Sequence, residues 1–496
     1  MTSFFLSILL FRIINSFITQ TYFQPDEFWQ GLEPAHRLVY GYGYLTWEWR
    51  DALRSIVHPL VFATVYSLCD LLRLGSIGLI YGPKLVQAFF AALTDIFTYS
   101  LANKLYGVSV AKYALLCSLL SAMNFHVGVR TFSNSMECTI SICAMNYWPF
   151  ARQSTSPGSL RIALVLASLA CIMRPTNVLI WLYLGSELFL RQKSLHIIFL
   201  AASIGLISLA LNALIDMLYY NRVVFPMLEF LKFNVIESLS SFYGTNQAFY
   251  YIIEALPQLT ILYFPLLIHG WFISRYSVLS KLCIFVIIIY SFNAHKEVRF
   301  IYPLLPVMHI MIARSLDSWT TSARHNFKRY YLYAVIGIHG PLCIYLATVH
   351  QRGVIDVTHY IRNSPEVTSV GFLMPCHSTP WMSHIHRQDI SAWFLTCEPP
   401  RGTANLELES YLDEADIFYE NPVLFLESNF PSPGSTDFSS FAYSWPSHLV
   451  FFETLKPQID IVVMKSNLYR ECAKFFNSHA HEDHRRRGDV IVYCQT

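Results

Sequence analysis

The sequence has little charge. Lys, Arg, Asp and Glu make up 14% of its 496 residues, against about 25% in soluble globular domains, and the net charge is +2. Such a chain lacks the basic surface with which proteins neutralise nucleic-acid phosphates, so no nucleic-acid partner is expected. Because 54% of its residues are hydrophobic, it is not disordered, and it has too few charges to cover one large soluble domain. The remaining class is a polytopic membrane protein.

Two short motifs are also absent. The eleven cysteines include no Cys-x-x-Cys pair, which argues against a zinc ribbon. No Asn-x-Ser/Thr sequence occurs, so N-glycosylation gives no marker of which side of the membrane a loop faces. Topology therefore has to be inferred from the apolar segments and the positive charges.

What the sequence does have is a series of apolar runs, and a helix needs about 20 residues to cross the hydrocarbon core. The candidate spans are 3–19, 57–74, 83–103, 108–128, 135–150, 160–190, 195–219, 248–273, 278–293, 300–314 and 330–349. Arg12 lies inside the first run and no small-residue cleavage site precedes Pro25, so this run is predicted to be a retained span. The run 160–190 is interrupted at Arg174–Pro175 and is predicted to form two short helices.

Positive charges set the orientation of these spans. The positive-inside rule places in the cytosol the short loops bordered by Arg191, Lys193, Arg275, Lys281 and the basic stretch 314–329. Counting spans from there puts on the far side residues 20–55, 220–246, 294–299 and those after about 350. Lys104 and Lys112 also favour the cytosol, which requires 57–74 to be interfacial or re-entrant.

After residue 350 the composition changes, and no apolar run of spanning length follows. Strands are predicted at Val367–Leu373, Ile459–Met464 and Val490–Tyr493, whereas Ser428–Ser447, rich in Ser, Pro and Phe, is predicted to be a loop. We therefore expect two domains: a multi-span domain over 1–350 with a far-side loop at 20–56, and a small α/β domain over 351–496.

Four of the eleven cysteines lie in this tail, and the other seven lie in apolar segments, where thiols pack as small hydrophobes. An even number in a non-cytosolic domain fits two disulfides, for which three pairings are possible. We favour Cys376–Cys397 and Cys472–Cys494.

The first far-side loop contains the segment Tyr22-Phe23-Gln24-Pro25-Asp26-Glu27-Phe28-Trp29-Gln30. Pro25 suits the first turn of a helix, and Asp26 and Glu27 suit the positive end of its dipole. The following residues alternate between an apolar and a polar face, which predicts a helix lying flat on the membrane and kinked at Pro34. The alternative to a functional role is a purely structural acidic first turn.

Aromatic residues follow, in the stretch Tyr42-Gly43-Tyr44-Leu45-Thr46-Trp47-Glu48-Trp49, and Arg54 comes shortly after. Aromatic rings beside a carboxylate at the bilayer edge are either interfacial anchors or the walls of a pocket for a sugar and a lipid head group. The sequence alone leaves both interpretations open.

A second group of polar residues, His295, Lys296, Glu297 and Arg299, joins two spans on the same side as Asp26. One interpretation is an ordinary charged hairpin. The other is a phosphate site, because His, Lys and Arg at a membrane edge suit an anion and Arg offers a bidentate fork. Arg130 and Arg174 are further cations near membrane depth, where structural pairing is the simpler interpretation.

The tail holds two groups of histidines. His377, His384 and His386 follow Cys376, and His479, His481 and His484 precede a run of three arginines. Neither group has the acidic or cysteine spacing of a known metal site, so we expect solvated histidines.

A loop carboxylate, aromatic walls and cations on one side of a membrane predict group transfer from a membrane-borne phosphate. The carboxylate would act as general base on an acceptor hydroxyl, and the cations would stabilise the departing phosphate. A transporter of lipid-linked sugars is the competing class, although no internal repeat is evident. A non-catalytic membrane scaffold is a third possibility.

Several of these segments, taken in order, resemble the GPI mannosyltransferase III group of glycosyltransferase family 22, which has the GT-C fold. The motifs are Tyr22–Gln30, Tyr42–Trp49, Arg130–Ser135, Phe242–Asn246, His295–Phe300 and Phe372–Pro380. Many members of the family have His where this chain has Gln24, so any role of that histidine is lost here.

The resemblance implies an inverting, dolichyl-phosphate-mannose-dependent α1,2-mannosyltransferase of the endoplasmic reticulum membrane. It would add the third mannose to the second mannose of the GPI precursor on the luminal side, where the tail domain also lies. Other family 22 activities, on a fourth GPI mannose or an N-glycan precursor, are the alternatives. No metal or other cofactor is expected.

The resemblance also implies roles for particular residues. Asp26 matches the catalytic acid of the family, with Glu27 beside it. From the residues themselves, we predict that the donor phosphate is bound by His295, Lys296, Arg299 and Arg54. The substrate pocket is predicted to include Tyr22, Trp47, Glu48, Trp49, Glu297, Arg130 and Asn134.

Overall fold

The computed structural model describes residues 2–150, 157–237, 239–322, 325–400, 411–431, 441–463 and 468–496. They form two compact units. We call Met1–Thr19 with Glu48–Tyr345 the helical unit, and Gln20–Trp47 with Leu346–Thr496 the sheet unit. The expected division had placed all of 20–56 with the multi-span region. Residues 20–47 instead pack with the tail, beginning with main-chain hydrogen bonds from Gln20 to Ala347 (2.8 Å) and from Tyr22 to Gln351 (3.0 Å).

Each predicted span contains helical structure, because long apolar runs are a local signal. The α-helices of the helical unit, the last of which runs into the sheet unit, are Thr2–Ile18, Val57–Leu71, Gly75–Tyr106, Val108–Leu120, Ala122–Val127, Ser133–Tyr147, Pro157–Met173, Val178–Gln192, Leu195–Tyr220, Pro226–Leu231, Leu256–Thr260, Phe264–Ile273, Val278–Ser291, Leu305–Ser322 and His325–Thr348. Within the described residues, four segments are long and apolar enough to cross a membrane: Gly75–Tyr106, Leu195–Tyr220, Tyr251–Ile273 and Tyr330–Asn363.

The predicted break at Arg174–Pro175 is confirmed. The helices Pro157–Met173 and Val178–Gln192 are separated by a 3-10 turn over Pro175–Asn177. Pro175 causes the break because its ring has no N–H and clashes with the preceding turn. The predicted span 248–273 is also irregular, since it combines π, α and 3-10 segments between Tyr251 and Ile273.

Exposure separates the outward and inward faces of the helical unit. The helix Leu195–Tyr220 exposes large side chains such as Leu206, Ile207 and Leu218, as a lipid-facing helix does, while it buries Asn212 and Asp216. Two other helices cross closely at Gly270, where a Cβ atom would lie 2.1 Å from the carbonyl oxygen of Met311. Only glycine fits at that crossing.

The arginine inside the first span has a buried partner. Both Arg12 and Asp95 are fully buried, and the guanidinium binds the two carboxylate oxygens at 2.6 and 2.8 Å. Ser118 donates a further hydrogen bond to Asp95 at 2.7 Å. A charge at this depth is tolerated only when it is paired and hydrogen-bonded.

In the described part of the sheet unit, five strands form one sheet. They are β1 (Ser369–Leu373), β2 (Ser391–Phe394), β3 (His448–Phe452), β4 (Tyr469–Ser478) and β5 (Gly488–Gln495), in the order β2-β1-β3-β5-β4. β1 is parallel to β2 and β3, with Val370 beside His448, and β5 is antiparallel to β3 and β4. Helices Glu33–Tyr40, Gly353–Asn363, Met382–Ile385, Glu414–Glu420, Pro422–Asn429 and Lys456–Val463 complete the unit.

Both favoured disulfides are present. Cys376 and Cys397 each lie three residues after the end of a strand, β1 and β2 respectively. Because those strands are parallel neighbours, their carboxyl ends lie at one edge of the sheet, which brings the two cysteines together. Cys472 and Cys494 lie on the adjacent strands β4 and β5.

The predicted strands at Val367–Leu373 and Val490–Tyr493 are confirmed, whereas the one at Ile459–Met464 is wrong. Residues Lys456–Val463 form a helix, and Met464 lies outside the described residues. Ile459 and Val463 are buried while Ile461 is 46% exposed. This is the i, i+4 spacing of a helix, which the β-branched residues of the segment concealed. In the predicted loop 428–447, the helix Pro422–Asn429 extends into the start, and 432–440 lie outside the described residues.

Candidate active site

The helix that bears the predicted acid belongs to the sheet unit. It begins at Asp26, where Phe28 and Trp29 donate main-chain hydrogen bonds to the oxygen of Pro25 (3.0 and 2.9 Å). Residues Phe28–Leu32 form a π-turn before the α-helix Glu33–Tyr40. Pro34 has no N–H and cannot donate an α-helical hydrogen bond. The irregularity predicted at Pro34 therefore takes the form of a π-turn just before it.

The predicted exposure of the polar face of this helix is wrong. Residues 26–36 are all buried, including the polar face that was expected to meet water. The tail covers it: Trp29 Nε1 donates to the oxygen of Thr379 at 3.0 Å, and its ring lies 4.5 Å from the ring of His377. The segment 26–36 is therefore part of the core of the sheet unit.

The two predicted catalytic carboxylates have little exposure, at 8% for Asp26 and 6% for Glu27. His377 lies in the field of Asp26. Burial and the charge of Arg486 lower the pKa of His377 to about 4, against the opposing effect of the Asp26 charge. The imidazole is therefore neutral near pH 7. Tyr22, predicted to line the pocket, is buried and donates to the main-chain oxygen of His377 at 2.5 Å.

In the sequence, the sheet unit ends at Trp47 and the helical unit resumes at Glu48, within the Trp-Glu-Trp motif. Trp47 and Trp49 are 7% and 2% exposed. Glu48 accepts hydrogen bonds from Arg54 at 3.1 Å (Nε) and 2.7 Å (Nη2). The main-chain oxygen of Arg54 in turn accepts a hydrogen bond from Tyr220 at 2.7 Å. Arg54, predicted to bind phosphate, and Glu48, predicted to line the pocket, thus form a partly exposed ion pair with each other.

The predicted cation group lies in the helical unit and is organised around Glu297. One oxygen of this carboxylate accepts from Arg299 Nη2 at 2.6 Å and from His295 Nε2 at 3.0 Å. Burial would raise the pKa of Glu297, but the charge of Arg299 and the hydrogen bond from His295 outweigh it and lower that pKa to about 2. Glu297 therefore orients the two cations.

Both ring nitrogens of His295 face hydrogen-bond acceptors. One ring nitrogen faces Glu297 and the other faces the oxygen of Gly244 at 2.7 Å, so both nitrogens are needed as donors. Burial lowers the pKa of His295, but these two hydrogen bonds outweigh it and raise the pKa above its usual value. Residues 295–299 therefore bring together two cations, Lys296 and Arg299, one carboxylate, and a histidine whose protonated form is favoured.

Lys296 links two of the family motifs. Its side chain is 3% exposed and Nζ donates to the oxygen of Asn246 at 2.9 Å. Asn246 Nδ2 donates back to the oxygen of Lys296 at 2.7 Å. The motif ending at Asn246 thus supports the turn that bears the cations.

Two residues predicted to line the pocket are buried and hydrogen-bonded. Arg130 is 2% exposed and donates from Nε to the oxygen of His126 at 2.8 Å. Asn134 is 1% exposed; it donates to the main-chain oxygen of Arg299 at 3.1 Å and accepts from Arg174 at 3.0 Å. Asn134 therefore connects Arg174 to the backbone of residues 295–299, which we call the cation turn.

Sequence reasoning missed Glu137, which is 2% exposed. It accepts a hydrogen bond from Asn177 at 2.7 Å and lies 3.8 Å from the Nε atom of Arg174. The guanidiniums of Arg174 and Arg299 lie 5.9 and 5.8 Å from the ring centre of Phe300. A signal was available, because Glu137 is the one charged residue in the helix Ser133–Tyr147 and such residues are functional candidates.

The tail histidines divide into two groups. The expectation of solvated side chains is wrong for His384, which is 5% exposed and packs edge-on against Phe28, and for His386, whose Nδ1 lies 2.9 Å from Nε2 of His36. These rings cover the buried helix. His479 and His484 are exposed, as expected.

Among the described residues, two groups of His and Cys have metal-like spacing: Cys376, His377 and Cys397, and His448, Cys472 and Cys494. The cysteines in each group form a disulfide. Because a cysteine binds a metal as a thiolate, the disulfide-bonded cysteines of both groups are not available as ligands.

The sequence matches the model of the Alg9-like mannosyltransferase family over residues 3–386. It is 44% identical over 492 residues to "GPI mannosyltransferase 3" of Yarrowia lipolytica, covering 98% of this chain and 96% of the relative. It is 37% identical over 491 residues to "GPI alpha-1,2-mannosyltransferase 3" of Mus musculus, covering 97% of this chain and 86% of the relative. With "GPI mannosyltransferase 3" of Schizosaccharomyces pombe the identity is 35%, over 99% of both chains.

Among solved structures, the fold is similar to that of ArnT from Cupriavidus metallidurans bound to undecaprenyl phosphate. The TM-score is 0.62 at 13% sequence identity, with 99% of this chain and 97% of that chain covered. The apo form of ArnT gives a TM-score of 0.58. At this identity the similarity concerns the fold alone.

Proposed function

Since this chain belongs to the Alg9-like mannosyltransferase family and has the GT-C fold of a multi-pass membrane protein, we propose that it adds the third mannose of the GPI anchor. The donor is dolichyl phosphate mannose, and the new bond is α1,2 to the second mannose of the GPI precursor. The observation that carries this proposal is the near-full-length similarity to relatives named GPI mannosyltransferase 3 and GPI alpha-1,2-mannosyltransferase 3. We propose that the reaction takes place on the luminal side of the endoplasmic reticulum membrane, where the donor and acceptor lipids are also expected.

The proposed chemistry is a single displacement with inversion. The acceptor hydroxyl oxygen attacks C1 of the donor mannose, and the bond from C1 to the phosphate oxygen breaks. Asp26, with Glu27 beside it, takes the proton of the hydroxyl, and the electron pair of the broken bond leaves with dolichyl phosphate. His377, whose ring interacts with the Asp26 charge, is neutral near pH 7 and so places no imidazolium charge beside this carboxylate.

The turn 295–299 is the proposed site for the phosphate. Its two cations, Lys296 and Arg299, exceed its one carboxylate, so it retains positive charge for an anion. Arg299 and Lys296 are the proposed main contacts, with His295 and Arg54 in supporting roles. Trp47, Glu48 and Trp49 are proposed to contact the sugars. Because protein cations supply the positive charge, we propose that transfer needs no divalent metal: chelation should leave activity unchanged, and restoration by Mg²⁺ or Mn²⁺ would contradict this.

A null strain tests the substrate. We expect cells lacking the protein to accumulate a GPI lipid with two mannoses, and expression of this chain to clear it. Accumulation of a three-mannose GPI lipid, or of a truncated N-glycan precursor, would instead assign the chain to another acceptor of the family.

A further inference from the structure

Glu33 lies on the same helix as Asp26, seven positions further along, and is 1% exposed. Its carboxylate accepts hydrogen bonds from the main-chain N–H of Trp381 (2.9 Å), from the main-chain N–H of Ser383 (3.2 Å to each oxygen) and from the hydroxyl of Ser383 (2.6 Å). These donors belong to the first turn of the short helix Met382–Ile385. A carboxylate of the first loop thus binds the tail some 350 positions away.

The same stretch of tail binds two other side chains of the first loop. Trp29 donates to the oxygen of Thr379, and Tyr22 donates to the oxygen of His377. The stretch follows directly on Cys376, whose disulfide to Cys397 closes the carboxyl-terminal edge of β1 and β2. We call residues 377–383 the clamp segment, and it is tied covalently to the sheet.

The helix between Asp26 and Glu33 needs support from outside. The π-turn at Phe28–Leu32 and Pro34 interrupt its regular hydrogen-bond ladder, so the ladder alone does not fix the direction of the first turn. Burying a carboxylate is costly unless it is hydrogen-bonded. A glutamate that bears this cost and binds three donors of a distant segment serves as an anchor and not as packing.

We propose that Glu33 is a positioning residue, which fixes the Asp26-bearing helix on the clamp segment and so gives the sheet unit its role in the reaction. The inference rests on the proposed function, in which Asp26 is the base. Glu33 itself does not touch the reacting atoms. It acts by holding the first turn of its helix in the orientation that proton transfer requires.

Three variants of the full-length protein in detergent test this inference. Glu33→Gln keeps the shape but replaces an acceptor oxygen by an amide that faces N–H donors, and Ser383→Ala removes only the hydroxyl donor. Glu427→Gln, on the exposed surface of the same unit, is the matched control. With dolichyl phosphate mannose and a two-mannose GPI acceptor, we expect kcat to fall about 10- to 100-fold in Glu33→Gln, since small displacements of reacting groups have effects of this size. The KM values should stay within about twofold, Ser383→Ala should show a smaller loss of kcat, and the control should match the parent.

Amide hydrogen exchange provides a readout independent of catalysis. We expect Glu33→Gln to increase exchange in residues 26–36 while strands β1, β3 and β5 keep their protection. Wild-type kcat together with unchanged exchange in 26–36 would overturn the inference. If Glu33→Gln also unprotects the strands, Ser383→Ala decides: a lower kcat with protected strands supports the anchor, and a wild-type kcat refutes it. Full activity in Asp26→Asn would contradict the proposed function itself, whichever way the Glu33 variants behave.

Discussion

Glu33 in the sheet unit and Glu297 in the helical unit are glutamates held in opposite ways. Glu33 is buried among neutral donors, and burial outweighs their hydrogen bonds, so its pKa is raised to about 7. Glu297 is half-buried; burial would also raise its pKa, but Arg299 and His295 lower it to about 2. The same side chain therefore serves as a structural anchor where its partners are neutral and as an orienter of cations where they are charged.

The two units are proposed to contribute to different steps of the reaction. In the sheet unit, Asp26 stands near a neutral histidine, His377, which suits a group that must accept a proton. In the helical unit, residues 295–299 gather more positive than negative charge, which suits a phosphate leaving group. Proton transfer and phosphate stabilisation are thus assigned to environments of different charge.

The cation turn is where the largest effect among the following predictions is expected. Arg299→Gln removes a charge proposed to stabilise the departing phosphate, and we expect kcat to fall about 10²- to 10³-fold, as when a preorganised donor is lost. Steady-state kinetics with dolichyl phosphate mannose measures this. Arg275→Gln, a similar change in a predicted cytosolic loop, is the control and should leave kcat unchanged. A normal kcat in Arg299→Gln would contradict the proposal that the cation turn stabilises the departing phosphate.

Neutralising the orienter should have a smaller effect than removing the cation. We expect Glu297→Gln to lower kcat about 10-fold, because Arg299 keeps its charge but loses its 2.6 Å partner. The pKa of His295 should also fall, since the hydrogen bond from this histidine to Glu297 helps to raise it. NMR titration of a histidine-labelled protein checks the second effect. An unchanged His295 titration would refute the network.

Asp216 tests whether the unit or the partners decide the role of a carboxylate. It lies in the helical unit, yet it is held by neutral donors: Ser55 Oγ (3.0 Å), the N–H of Ile56 (2.9 Å) and Asn212 Nδ2 (2.9 Å). It should therefore behave as an anchor. We expect Asp216→Leu to reduce the free energy of unfolding by about 1–3 kcal/mol, the cost of leaving such donors unsatisfied. Asp70→Asn, an exposed change in the same unit, should cost much less in a thermal-unfolding assay.

The smallest expected effect is an opposite pH dependence of stability. Folding raises the pKa of Glu33 from 4.5 to about 7, so its contribution to stability grows as the pH falls from about 7 to 4.5. Folding lowers the pKa of Glu297 from 4.5 to about 2, so its contribution is lost as the pH falls below 4.5. Melting temperatures of Glu33→Gln and Glu297→Gln, each relative to the parent, should therefore move in opposite directions on acidification, by a few degrees. Parallel shifts would mean that the two carboxylates are held alike.

Much of the helical unit was predictable from the sequence. Apolar runs and the Arg174–Pro175 break are local signals, so the helical segments and the interruption were placed correctly. The cation turn was also found, because four ionisable residues lie within five positions. Glu137 was missed because its partners, Arg174 and Asn177, lie some 40 positions away, in the break between two other helices.

The sheet unit was harder to predict, because the partners of its buried polar residues also lie far away in the sequence. The helix at 26–40 has a polar face that suggested a surface helix and that includes Glu33, but the partner of Glu33, Ser383, lies 350 positions away. Local periodicity shows that a residue is polar and not whether the fold supplies a buried partner for it. The disulfides were predictable because few pairings were possible.

In the proposed reaction, Asp26 takes the proton of the acceptor hydroxyl, and a separate group of cations stabilises the departing phosphate. The most direct test is transfer by purified Asp26→Asn, with dolichyl phosphate mannose and a two-mannose GPI acceptor, beside the parent protein. We predict that kcat falls about 10²- to 10⁴-fold, the range for loss of a general base, while the KM for the donor stays within about twofold. Transfer at the parental rate would contradict the account.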